Sequence, residues 1–115
     1  VTINLRNLVT LEKAKNFSTV TLSTGKEFKV TDEYKFLCRQ IGKQNCIQLI
    51  QLNKVVTFPS TTTNLETTKV AINSDAIVTY EETNLNNYPF RPDLAKTGSL
   101  ISLTTGTDIT VTDDL

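Results

Sequence analysis

The chain has 115 residues, 38% apolar and 21% charged, with twelve basic side chains balanced by twelve acidic ones and no histidine. A chain of this length can bury about two-thirds of its unfolded surface as one domain, and its balanced charge excludes a disordered polyelectrolyte. Without histidine, Ser-His and Cys-His catalytic pairs and the common zinc sites are excluded, so no enzyme activity, catalytic residue, metal or cofactor is expected.

The first segment, Val1 to Thr10, alternates apolar and polar residues instead of running from a basic stretch into an apolar one. No signal peptide is expected in it. No run anywhere approaches the roughly 18 to 20 apolar residues of a membrane span, so no membrane partner is expected either. Val20 to Leu22 and Phe28 to Val30 read as two strands around a Thr24-Gly25 turn. Period-two alternation puts Val20, Leu22, Phe28 and Val30 on one face and Thr19, Thr21, Lys29 and Thr31 toward solvent. Thr31 or Asp32 can cap a short helix over residues 32–41, with Tyr34, Leu37, Cys38 and Ile41 on one stripe and Gly42 stopping it. Ile47 to Leu52 and Lys54 to Phe58 read as two further strands, and the Thr-rich residues 59–69, opening at Pro59, as a linker. Cys38 and Cys46 read as reduced, partly buried thiols.

Beyond the linker the first pattern recurs. Val1-Thr2-Ile3-Asn4 and Leu8-Val9-Thr10-Leu11-Glu12 return as Val70-Ala71-Ile72-Asn73 and Ile77-Val78-Thr79-Tyr80-Glu81 at the same internal spacing. Ser18 to Gly25 returns as Ser99 to Gly106, and Phe28 to Asp32 as Ile109 to Asp113. The expected fold is therefore mainly β (α+β): a single domain, residues 1–115, of internally duplicated β-hairpin modules with one short helix near residues 32–41. The modules span about 1–58 and 70–115. Gly25 and Gly106 are the expected turn glycines, supplying positive φ. The second copy carries a long insertion, residues 83–97. Its Asn84, Asn87, Tyr88, Phe90 and Arg91 are the candidate partner contacts, because aromatic and Arg side chains on a loop are frequent interface anchors.

Two family resemblances attach to these motifs. The second copy, from Val70-Ala71-Ile72-Asn73 through Ile77-Val78-Thr79-Tyr80-Glu81 to Leu103-Thr104-Thr105-Gly106, resembles the FlbD-like flagellar and swarming-motility family. That family runs from an Asn-led segment through an Ile-x-x-Ile-Glu strand to a Leu-Thr-Asn-Gly hairpin. The first copy, in Ile3 to Glu12, Phe17, Leu22 to Val30 and the helix ending near Ile41, resembles the LytTR family of DNA-binding domains. That family carries a basic His-Arg-Ser segment before a Val-Asn pair, where this chain has Cys46 to Asn53. The resemblances imply a small bacterial regulatory protein, with nucleic acid as its partner in the second case.

The charge is divided along the chain. Residues 1–58 carry nine basic and four acidic groups, and residues 59–115 carry three basic and eight acidic. Phosphate contacts would suit the basic half, with Phe17, Tyr34 and Phe36 for stacking, but the acidic half would repel nucleic acid, which is therefore not the expected partner. Phe28, Tyr34 and Phe58 read more naturally as core, and the pairs Glu81-Glu82 and Asp113-Asp114 as solvated edges. Twenty threonines, two similar modules and opposite charges on the two halves point to protein partners, other copies of the chain or other subunits. The expected role is a structural subunit of a larger assembly such as a bacteriophage virion, as a capsid-decorating or connector component.

Overall fold

The computed structural model describes residues 4–44, 47–56, 66–85 and 97–113. In chain order the strands are Leu8–Lys13 (β1), Ser18–Leu22 (β2), Glu27–Val30 (β3), Leu49–Val55 (β4), Thr67–Asn73 (β5), Ile77–Asn84 (β6), Thr97–Leu103 (β7) and Asp108–Val111 (β8). The helix Tyr34–Gly42 (α1) lies between β3 and β4, and short 3-10 turns, Leu5–Asn7 and Ser74–Ala76, lead into β1 and β6. All strand pairs are antiparallel, in one sheet of order β3-β2-β1-β5-β4-β8-β7-β6. The fold is thus mainly β with one short helix, as the alternation and the helical stripe require.

The sheet has two buried faces because it is used twice. On one side Leu11, Val20 and Ala71 meet Tyr34 of α1, with Leu37, Cys38 and Ile41 packed around them. The 3.6-residue stripe of the helix thus covers the β1-β2-β5 surface. On the other side Val9, Leu52, Val70 and Ile72 form a second cluster with Ile101, Leu103, Ile109 and Val111 of β7 and β8. The link between the two parts is narrow. β4 and β8 share the register pair Lys54↔Val111, and the Thr112 N–H donates to the Asn53 carbonyl at 3.0 Å. Side chains of β7 and β8 thus share one core with those of β1, β4 and β5. Full burial of each branched side chain in these clusters contributes roughly 1.5–3 kcal/mol.

Positions that correspond in sequence make corresponding local bonds. The Asn4 side chain accepts from the Arg6 N–H at 3.1 Å, and the Asn73 side chain from the Asp75 N–H at 3.0 Å. The register shifts between Leu8 and Thr10 in β1 and between Ile77 and Thr79 in β6. The Ser18 hydroxyl donates to the Asp32 carbonyl and that of Ser99 to the Asp113 carbonyl, both at 2.9 Å. Gly25 and Gly106 close the hairpins at φ 86° and 84°, the left-handed region that favours glycine.

Four details depart from the sequence reading. The expected strands Ile47 to Leu52 and Lys54 to Phe58 are one strand, β4, in their described part, because Asn53 does not interrupt it. Its N–H donates to Asp113 Oδ1 at 2.7 Å and its Nδ2 to Asp113 Oδ2 at 3.2 Å. Asp113 is accordingly part-buried, not a solvated edge. Thr67 to Lys69, assigned to the linker, are strand, because β4 offers them the partners Val55, Lys54 and Asn53. The helix starts at Tyr34 rather than residue 32, with Glu33 as an N-cap that makes no side-chain bond, since the Asp32 carbonyl is held by Ser18 at the end of β2.

Candidate interaction edge

The two ends of the sheet are built differently. β3 is four residues long and flanked by lysines: Lys26, just before it, lies over the Phe28 ring and Lys29, within it, over the Phe17 ring, each 5.1 Å from the centroid. Short, lysine-covered edges resist the addition of further strands. β6, at the other end, is eight residues long, pairs only with β7 among the described residues, and is exposed over Val78 to Glu82. Two of the exposed large apolar side chains of the protein, Val78 (61% exposed) and Tyr80 (58%), lie on it.

Their sequence equivalents in β1 show what such a strand looks like when covered. Val9, equivalent to Val78, is 1% exposed, and Leu11, equivalent to Tyr80, is 0% exposed. The difference comes from what flanks each strand. β5 lies along β1 with Thr10↔Ile72, Leu11↔Ala71 and Glu12↔Val70 in register. The Asn73 side chain, itself buried, locks this pairing by donating from Nδ2 to the Leu8 carbonyl at 2.9 Å. Nothing among the described residues stands in this relation to β6.

Of the residues singled out from the sequence as partner contacts, Asn84 is exposed at the end of β6. Asn87, Tyr88, Phe90 and Arg91 lie outside the described residues, as does Phe58. Gly25 and Gly106 are at their turns. Tyr34 is core, Phe28 is half-buried beneath Lys26, and Phe36 is exposed on α1. Val78 and Tyr80 were not singled out, because the local pattern of β6 matches that of β1 and only long-range pairing separates covered from bare.

Two concavities lie elsewhere. A cleft of about 240 Å³ separates the Thr10, Glu12, Thr19 and Thr21 surface from the β7-β8 hairpin, where Thr107 and Asp108 line it. Thr19 and Thr21, expected toward solvent, are therefore half-buried. Lys54 Nζ and Glu12 Oε1 bridge at 2.6 Å in this cleft. A more open hollow lies between the end of α1 and Ile47 to Leu49, with Cys38 in its wall. Burial pushes the free Cys38 thiol up in pKa. Burial first, then Cys38, pushes the Tyr34 phenol well above its usual range. Both shifts favour the neutral, protonated forms. Among the described residues no cluster of three or more His, Cys, Asp or Glu side chains could hold a metal ion, and no helix is long and apolar enough to cross a membrane.

Comparison with protein-family models, with curated proteins and with solved structures returned no match.

Proposed function

We propose that this chain is a non-enzymatic structural subunit whose two halves are copies of one module and which works by joining a larger protein assembly. The observation that carries the reading is the bare β6 edge, with Val78 and Tyr80 exposed where Val9 and Leu11 are buried. A long edge strand carrying apolar side chains is a template for another strand, and proteins that remain monomeric ordinarily shorten it, charge it or cover it. β3 is short, whereas β6 is eight residues long and, although Glu81 and Glu82 charge its later part, nothing among the described residues covers Val78 and Tyr80. The opposite charges of the two halves favour contact between the basic half of one subunit and the acidic half of the next. A virion, with the chain as a capsid-decorating or connector component, is the setting that its short, Thr-rich, repeated β sequence suggests.

Light scattering of the purified chain from micromolar to millimolar concentration, at low and high salt, tests the reading. A mass that rises with concentration and falls with salt supports it. A monomer mass under every condition contradicts it.

A further inference from the structure

Four large apolar side chains stand exposed among the described residues, and three of them lie in two patches of opposite charge. One patch is β6, where Val78 and Tyr80 are followed by the exposed Glu81 and Glu82. The other is the outer face of α1. The helix puts Tyr34, Leu37, Cys38 and Ile41 against the sheet, so its 3.6-residue period turns Lys35, Arg39 and Lys43, at i, i+4 and i+8, outward as one stripe. Phe36, 48% exposed, borders that stripe. We infer that this face of α1 in one subunit docks on β6 of a second copy of the chain. The inference rests on the assembly reading above and names the surface that meets the bare strand.

Charge, length and exposure agree with this. Lys35, Arg39, Lys43, Glu81 and Glu82 are all exposed, and none of the five has an ion-pair partner among the described residues. The carboxylates nearest the stripe in sequence, Asp32 and Glu33, precede the helix, and no acidic residue lies within it. From Lys35 to Lys43 the helix rises roughly 12 Å, at about 1.5 Å per residue, and from Val78 to Glu82 the strand runs roughly 13 Å, at about 3.3 Å per residue. The two patches do not cover each other within one chain. α1 packs on the β1-β2-β5 surface while β6 ends the sheet beyond β7, and Phe36, Val78 and Tyr80 all remain exposed. A covering helix is one of the means by which proteins protect a long strand edge, and here the neighbour supplies it. Burial of the three apolar side chains provides attraction, and the opposed charges select the partner and its orientation. The contact joins unlike surfaces, so it propagates head to tail into a ring or a filament, not a two-fold dimer.

Charge reversal in the full-length chain tests it, with light scattering as the readout. One variant carries Arg39→Glu and Lys43→Glu on the helix, and a second carries Glu81→Lys and Glu82→Lys on the strand. All four positions are exposed, and circular dichroism with a cooperative urea transition establishes that each variant is folded. The parent should associate. Each variant alone sets like charges against each other and should need at least about tenfold more protein to associate. A chain with all four changes has an acidic helix face and a basic strand, so its association should return. Lys26→Glu with Lys29→Glu, the same change in net charge beside β3, should leave association unchanged. Undiminished association of the helix variant, no recovery in the combined variant, or an equal loss from the Lys26 and Lys29 changes would each overturn the inference and leave the assembly reading intact. A parent that stays monomeric removes both.

Discussion

Replacing Asn73 by Ala should be among the most damaging single changes that remove no apolar surface. The side chain is 2% exposed and joins two parts of the fold: Nδ2 donates to the Leu8 carbonyl at 2.9 Å, and Oδ1 accepts from the Asp75 N–H at 3.0 Å. Leu8 is itself 2% exposed, so its carbonyl would lose a partner with no water at hand, at a cost of about 1–3 kcal/mol. Loss of the cap on the turn Ser74–Ala76 adds about 1 kcal/mol. The sum is about 2–4 kcal/mol. At a urea m-value of about 1.5 kcal/mol/M, this is a fall of roughly 1.5–2.5 M in the unfolding midpoint. Asn4→Ala, which removes the equivalent cap at an exposed position, should cost under about 1 kcal/mol in the monomer. Equilibrium urea unfolding of the two variants side by side, at a concentration where the chain is monomeric, measures the difference. Equal midpoints for the two, or a loss under about 1 kcal/mol for Asn73→Ala, would refute the reasoning that the buried β5-to-β1 clasp separates them.

Gly98→Ala should destabilise the protein by about 1–3 kcal/mol in the same assay, because a Cβ there would run into the Val111 carbonyl oxygen, and backbone, not a flexible side chain, would have to yield. Glu12→Gln should cost less than about 1 kcal/mol, since its ion pair with Lys54 is about one-third exposed and screened by solvent; a larger loss would mean that the pair holds the sheet junction. The Cys38 thiol should alkylate far more slowly than a free cysteine at pH 8, and its rate should rise only at higher pH. The folded state keeps the Cys38 and Tyr34 protons that the unfolded chain releases near its ordinary cysteine and tyrosine pKa values, about 8.5 and 10. Stability should therefore fall as pH rises from about 8.5 upward, and be insensitive to these two groups below it. Alkylation kinetics and urea midpoints from pH 7 to 10.5 check both statements.

Local elements were legible in the sequence where local physics decides them. The Thr-Gly turns, the alternation of β2 and β7 and the stripe Tyr34, Leu37, Cys38 and Ile41 all depend on neighbours within a few residues. The misreadings involve distant partners. Asn53 looks like a strand breaker, yet it sits inside β4 because a carboxylate sixty residues away, Asp113, satisfies both its backbone and its side chain. Thr67 to Lys69 look like linker until β4 lies beside them. The candidate edge escaped for the same reason: Val78 and Tyr80 carry the signature of buried strand residues, and only the sheet order leaves them bare. Of the contact residues read from the insertion, Asn84 is the last residue of β6, and Asn87, Tyr88, Phe90 and Arg91 lie outside the described residues.

The most direct test of the account is amide hydrogen exchange measured residue by residue as protein concentration is raised. Val78 to Glu82 in β6 should gain protection in step with association, while β3, at the other end of the sheet, should not change. Association that leaves the β6 amides exchanging at their monomer rates, or that protects β3 instead, would contradict the claim that this edge is where the protein meets its partner.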